Sequence, residues 1–358
     1  MSEKFSYTTG TYATAAVKAA LKKLLGENHL KDVEIKLPGN EKAIIPINYT
    51  ERKKDYVKCS VIKKSIEEAD VTNNMEIIAT VSCRDDNQII VDGGIGVGRI
   101  TKPGLQLPVG EAAINPVPRA MILSAVKELT DRGVHVVISV PNGEEIAAQT
   151  TNARLGILGG VSIIGTTGIM KPKSLSSFKQ TIYEQLRFCK ENNVNEIIIT
   201  PGNISEKAMQ NHFRDKFQDY QIMQSGDYLG FTLKNALKMK FSIILAGHPG
   251  KLAKVLSGHF QTHHLKSPAA NKAVVSFFEK NGVESVIIKE LKESTTVEGM
   301  INILQKNDKG ELFNDLAETI EKKIQVYLKS DLTVPTLLFN MKKELVGKSN
   351  TGAKWVDE

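Results

Sequence analysis

Three stretches carry residue types whose spacing could do chemistry. The first, Asp92 to Ile122, reads DGGIGVGRITKPGLQLPVGEAAINPVPRAMI. Its glycines and prolines make an irregular loop, and Arg99, Lys102 and Arg119 charge it. An arginine fork meets a carboxylate with two parallel hydrogen bonds, whereas a lysine acts as a point charge. Together the three could hold a polycarboxylate, although each alone also reads as an ordinary surface cation. Asp92, at the end of an apparent strand, could serve as a general base or as a plain turn aspartate. The glycines do not form a dinucleotide fingerprint. Counted from Gly94 the sixth position is Arg99, and Ile100 to Gly104 makes a poor helix start, which disfavours NAD or FAD binding in that style.

The second stretch is NARLGILGGVSIIGTTGIM, Asn152 to Met170. Gly156, Gly159, Gly160, Gly165 and Gly168 let backbone pass close to something. That is either neighbouring chain or an adenosine-type cofactor, to which Thr166 and Thr167 offer hydroxyls. The third feature is a pair of loops, Thr200 to Asn203 and Ala246 to Lys251, each following an apolar strand. In open α/β sheets ligands bind outside the carboxyl ends of strands. The second loop is no P-loop, because Leu245 and Leu252 stand where that motif needs Gly and Ser or Thr. His248, His259, His263 and His264 follow. His259 and His263, four apart, would share a helix face and could begin a zinc site. There is no glutamate for an HExxH motif and no evident third ligand, so we expect no protein-bound metal. His248 is the histidine best placed to touch a ligand.

These residues need elements to hold them. The 358 residues allow one large domain or two ordinary ones, and 41% hydrophobic with 24% charged content is the balance of a soluble globular protein. The spacing predicts helices at 11–25 and 116–133 and strands at 33–37, 43–47, 56–62, 76–82, 89–91 and 134–140. Beyond Asn152, strands at 196–200, 241–245 and 285–288 alternate with helices at 176–191, 228–238, 251–260 and 269–280. Short strands with an early helix imply an α+β layer domain, and the later alternation implies a parallel sheet with helices on its faces. We therefore expect an α+β domain at 1–152, an α/β domain at 153–346 and a frayed polar tail at 347–358. Three widely spaced cysteines, Cys59, Cys83 and Cys189, suit a reducing cytoplasm. No apolar signal core opens the chain and no run is apolar enough for a membrane helix. The net charge of +7 attracts polyanions, nucleic acid or an acidic small molecule, but no nucleic-acid-binding module is recognisable.

Four segments carry a resemblance: YTTGTYATAAVKAAL at 7–21, GVGRITKPGLQLPVGEAAINPVPRAMI at 96–122, TTNARLGILGGVSIIGTTGI at 150–169 and GHPGKLAKVLSGHFQTH at 247–263. In order and over most of the chain they resemble the cobalt-precorrin-5B C1-methyltransferase family (CbiD). The resemblance implies transfer of a methyl group from S-adenosylmethionine to C-1 of a cobalt tetrapyrrole, giving cobalt-precorrin-6A, in anaerobic cobalamin synthesis. It implies a cytoplasmic enzyme with an α+β domain followed by a Rossmann-like domain, and cobalt that belongs to the substrate. The alternative is a non-catalytic corrinoid or tetrapyrrole carrier. Two positions depart from the family pattern. Tyr12 stands where the family usually has cysteine, and Lys63 to Thr72 reads KKSIEEADVT where the family often reads KDAGDDPDVT. On this reading Arg99, Lys102, Asn115, Arg119, His248 and Lys251 meet the carboxylates of the macrocycle. Thr9 and Thr11, with Thr8 at a helix N-terminus, either join them or merely cap the helix. Gly159, Gly160, Gly165, Thr166, Thr167 and Gly168 would hold the cofactor.

Overall fold

Small side chains on the first helix set the architecture of the N-terminal half. The structure, a computed structural model, describes residues 6–67, 70–170, 175–213, 215–263 and 265–356. It divides into two compact units, Met1–Ser174 and Leu175–Glu358. In the first, α1 (Thr9–Leu24) is buried all round from Thr9 to Leu21. Ala13, Ala15, Ala16, Ala19 and Ala20 let neighbours approach its axis closely, as a helix without a polar face requires. Those neighbours include the hairpin β1 (Asp32–Lys36) and β2 (Lys42–Pro46), and then a sheet. Its strands are β3 (Tyr49–Arg52), β4 (Val57–Ile62), β5 (Glu76–Cys83) and β6 (Ile89–Gly93). Two-residue strands β7 (Gly96–Val97) and β8 (Arg99–Ile100) lead to α2 (Pro116–Lys127), β9 (Val134–Ser139) and α3 (Gly143–Ala147). The sheet order is β3-β4-β5-β9-β6, antiparallel except for the β6·β9 pair. Residues alternate in burial along β5 and β9, so one face carries the core under α1 and α2.

The segment expected to open the second domain instead completes the first. Strand β10 (Ile157–Leu158) pairs with β8, and β11 (Gly160–Val161) pairs in parallel with β7. Tyr7 bridges to Ile169 and Ile114 to Ile163. The division after Ser174, rather than near Asn152, follows from those pairings.

The second unit begins with α4 (Leu175–Glu191), β12 (Glu196–Thr200), α5 (Asn203–His212), β13 (Ile222–Gln224) and α6 (Leu229–Lys238). Next come β14 (Ser242–Gly247), α7 (Pro249–Leu252), α8 (Asn271–Lys280), α9 (Ser285–Glu293), α10 (Val297–Lys306) and α11 (Leu312–Leu328). It ends with β15 (Thr336–Phe339), β16 (Leu345–Lys348) and α12 (Asn350–Ala353). The sheet order is β13-β12-β14-β15-β16, parallel but for the β15·β16 pair. Ile197 and Ile199 face one core while Ile198 faces another, so both faces are covered and the strands read as continuous apolar runs.

Four expectations change. The run 285–288 is the start of helix α9, whose Ile287, Ile288 and Leu291 are buried at helical spacing. Helix α2 stops at Lys127, and Gly133 is needed elsewhere: a Cβ there would lie 1.6 Å from the Asp86 carbonyl oxygen. The helix expected over 251–260 ends earlier, because α7 gives way to a 3-10 turn closed by Gly258 at φ +78°. The tail is ordered over its described residues: β16 and α12 use it, and the Trp355 ring lies 5.6 Å from that of Phe217. Among the described residues no helix is long and apolar enough to cross a membrane.

Candidate functional site

The two glycine-rich segments of the first unit meet each other. Across the β7·β11 pair Gly160 stands opposite Gly96. A Cβ at Gly160 would lie 2.1 Å from the Gly96 carbonyl oxygen, and one at Gly143 would lie 2.0 Å from the same atom. Gly165 is packed on Thr8 and Gly168 on Leu37 and Thr11. Of the expected cofactor cradle, the space at Gly160, Gly165 and Gly168 is thus filled by chain, while Gly159, at φ +81°, has no atom within 4 Å of its Cβ position. Thr166 and Thr167 are exposed and border a cavity of about 770 Å³ whose other walls include Tyr7, Leu37, Pro38 and Met170. That size lies within the range of small-molecule sites.

The same segment takes Thr9 and Thr11 out of the substrate set. Thr9 Oγ1 donates to the Ile164 carbonyl at 3.2 Å and accepts from the Ile164 N–H at 2.8 Å. Thr11 Oγ1 donates to the Gly168 carbonyl at 2.7 Å, and the two threonines are 4% and 0% exposed. A hydroxyl buried and bonded in this way is not available to a ligand carboxylate. Thr8 caps α1, accepting from the Thr11 N–H. Tyr12, where a family cysteine usually stands, is buried in α1, and its hydroxyl accepts from the Lys64 N–H at 3.0 Å. Nor do Cys59 and Cys189 offer a thiolate, since burial pushes both thiols up to about 12.

The cations of the 92–122 stretch are placed by the fold. Strand β6 ends at Gly93, and short β8 sets Arg99 beside it. Arg99 Nη2 donates to Asp92 Oδ2 at 2.9 Å and to the Gly93 carbonyl at 3.0 Å, while its Nη1 reaches the Gly110 carbonyl at 3.2 Å. The Arg99 hydrogen bond is the main reason that the Asp92 carboxyl is held below its usual range, and the Gly93 N–H adds to it. A carboxylate so stabilised is a poor proton acceptor near neutrality, so Asp92 is the counter-ion that orients Arg99 rather than the expected base. Arg119, in the first turns of α2, donates to the Val91 carbonyl at 2.9 Å and to Glu111 at 3.3 Å. Asn115 is the α2 N-cap by backbone, without a side-chain cap bond, and its N–H donates to the Ile163 carbonyl. The aliphatic part of Lys102 lies under Gly156.

Sequence reasoning missed the surface around Arg99. Leu158 stands directly opposite Arg99 in the β8·β10 pair, so the two share a face. Leu158 is 51% exposed, and Ile95 and Val109, which flank Arg99 in sequence, are 77% and 56% exposed. The periodic apolar pattern that marks core residues does not distinguish these three, and only the pairing of β8 with β10 reveals that Leu158 flanks an arginine.

In the second unit His248 caps α7: its Nδ1 accepts from the Gly250 N–H at 3.0 Å, which leaves Nε2 to donate to Glu298 at 2.9 Å. Lys251 lies 3.2 Å from Asp227 and donates to the Pro201 carbonyl at 3.0 Å. Because the helix ends before Gly258, His259 and His263 do not share a helix face, and the geometry that would begin a zinc site is lost. His264 lies outside the described residues.

An α+β unit with an arginine-bearing glycine loop, joined in sequence to a unit built on a mainly parallel sheet, defines a mixed α/β protein. A family model described as CbiD matches residues 1–172, and one described as the CbiD C-terminal domain matches residues 261–350. A Geobacillus sp. (strain WCH70) protein named cobalt-precorrin-5B C(1)-methyltransferase is 37% identical over 349 residues, 96% of this chain and 95% of its own. One of the same name from Alkaliphilus metalliredigens (strain QYMF) is 32% identical over 357 residues, 99% and 94% of the two chains. A crystal structure of a cobalamin biosynthesis protein (cbiD) from Archaeoglobus fulgidus is 26% identical, covering 77% of this chain and 84% of its own, with a TM-score of 0.36. The chain belongs to the CbiD family.

Proposed function

We infer that the chain is an enzyme that methylates C-1 of cobalt-precorrin-5B in cobalamin biosynthesis, with S-adenosylmethionine as methyl donor. The observation that carries this is the match over 96% of the chain to a relative named for that reaction. S-adenosylmethionine supplies an electrophilic methyl group, whose bonding pair remains on sulfur while the new C–C bond takes its pair from C-1. The protein's share is to bind and align, which can lower a barrier by roughly 7–11 kcal/mol without any covalent residue. That fits a chain in which Tyr12 replaces a cysteine and two of the three thiols are buried.

The acceptor is a cobalt-bearing macrocycle with acidic arms, and its cobalt is part of the substrate. Arg99 and Arg119, half-exposed at one end of the first unit's sheet, offer guanidinium forks to those arms, with Lys102 as a further charge. Leu158 gives a macrocycle apolar surface to rest on beside Arg99. Asp92 keeps Arg99 in place. We read the second unit as Rossmann-like, on the strength of its parallel strand order and its covered faces. We place the protein in the cytoplasm, as its three scattered cysteines suit.

Incubation with cobalt-precorrin-5B and methyl-labelled S-adenosylmethionine tests the reading. Label is expected on C-1 of the ring. A chain that binds the tetrapyrrole yet neither binds the donor nor transfers label is a carrier, and the reading falls.

A further inference from the structure

The second unit's sheet reverses direction at one place. In chain order its strands lie second, first, third, fourth, fifth, so the chain steps outward from β12 to β13 and then returns across β12 to β14. The segments that leave β12 and β14 consequently go to opposite faces. Helix α5, after β12, packs Ala208 and Met209 into one core, while α7, after β14, packs Leu252 into the other. Outside the carboxyl ends of two such strands the diverging loops leave a crevice, the usual ligand position in open parallel sheets.

Polar groups from three loops are tied together there. Lys251, after β14, bonds the Pro201 carbonyl after β12 and pairs with Asp227 after β13. Asp227 is fixed in turn by Thr262, whose Oγ1 lies 3.2 Å from Asp227 Oδ1 and whose N–H donates to the Asp227 carbonyl at 2.9 Å. The Thr262 carbonyl accepts from Lys254 Nζ at 2.7 Å, and Lys254, 8% exposed, also holds Ser267 Oγ at 3.0 Å. The segment GHPGKLAKVLSGHFQTH is thus largely scaffolding for one exposed acid–base pair.

Gly202 supplies a separate observation. Its φ of −179° is open to any residue, and no atom lies within 4 Å of its Cβ position. As the N-cap of α5 the position favours glycine over alanine or valine, but no packing against chain requires it. The other glycines of these loops differ: Cβ atoms at Gly226, Gly247 and Gly250 would lie 2.7 Å from Phe178, 2.6 Å from Leu252 and 2.9 Å from His248.

We propose that this crevice between the ends of β12 and β14 receives the methyl donor, with Asp227 facing its ammonium group, Lys251 its carboxylate, and Gly202 leaving the room it fills. The proposal rests on the reading that the donor is S-adenosylmethionine. The rival place is the cavity beside Thr166 and Thr167. Among the described residues its lysine, Lys42, pairs with Glu34 in a bridge whose side chains are 68% and 52% exposed, a looser pair than Lys251 and Asp227.

Calorimetric titration of the full chain with S-adenosylhomocysteine, beside thermal unfolding, tests it. Gly202→Val should lower the unfolding midpoint only modestly, as loss of a favoured N-cap residue does, and weaken binding at least about tenfold, the loss expected when a fitted site is blocked. Asp227→Asn and Lys251→Met should each cost a comparable factor, and Thr166→Val and Thr167→Val should cost none. Wild-type affinity in both Gly202→Val and Asp227→Asn, or loss confined to the Thr166 and Thr167 variants, overturns the proposal while the methyl-donor reading stands. A wild-type chain that binds no S-adenosylhomocysteine overturns both.

Discussion

In the first unit Gly96, Gly143 and Gly160 are consumed by chain, whereas in the second Gly202 faces open space. Gly96, Gly143 and Gly160 exist so that three backbone segments can touch, and their arrangement holds Arg99 and Leu158 on one face. Gly202 opens a helix beside an acid–base pair with nothing packed against it. A glycine pattern therefore states that something comes close without stating what. A missing Cβ that would meet protein marks scaffold, and one that would meet none leaves room that a ligand could use.

The sharpest way to break this comparison is Gly96→Ala. The residue has φ +71° and its Cβ would lie 1.8 Å from the Val140 carbonyl oxygen. Left-handed strain of about 1–2 kcal/mol and overpacking of about 1–3 kcal/mol should together destabilise the first unit by roughly 3–4 kcal/mol in chemical denaturation. A loss below about 1 kcal/mol would show that the glycine contacts are not structural.

A smaller effect concerns the KKSIEEADVT segment. Lys63 is 1% exposed and pairs with Asp70. Burial raises the Asp70 carboxyl, but hydrogen bonds from Lys63 and Thr72 outweigh it and hold it at about 2. A depressed folded-state value means stabilisation that is complete above the unfolded value near 4 and lost as pH falls through 2. Asp70→Asn should lower stability near neutrality by on the order of 2 kcal/mol and flatten its decline between about pH 4 and 2. An unchanged acid profile in urea titrations would contradict this.

Arg99→Ala should weaken cobalt-precorrin-5B binding by about tenfold or more, the worth of a charged hydrogen bond, while leaving S-adenosylhomocysteine affinity intact. Equal loss of both ligands would remove Arg99 from the acceptor site. At the small end, Gly202→Ala should cost folding stability only about 0.5–1 kcal/mol, the N-cap preference for glycine over alanine, because a methyl group there meets no protein. A larger change would assign that glycine to the scaffold.

Much of the frame was legible because it follows local periodicity. Strand β12 falls on the expected residues 196–200, and β5 and β9 lie within a residue of theirs. Helix α9 was not, because Val286, Ile287 and Ile288 form a short apolar run that fits strand or helix, and Leu291 settles it only when counted at helical spacing. The two-residue pairs β7·β11 and β8·β10 carry no periodicity at all. They arise from contacts between segments some sixty residues apart in sequence, about the separation of Gly96 and Gly160. The domain boundary was misplaced for that reason. The arginines could be read as acid-binding from residue type, but the Asp92–Arg99 pair that changes the role of Asp92 depends on how β6 and β8 meet.

One contact has a consequence for how the chain is born. The hydroxyl of Thr9 finds its carbonyl partner at Ile164, 155 residues later. At about 5–20 residues per second, the first helix emerges from the ribosome roughly 10–30 s before the loop that clasps it. Until then its alanine-lined flanks lack their last cover, so the N-terminal half matures by a closing act at its own two ends, and a nascent chain arrested short of Ile169 would expose an unclasped helix.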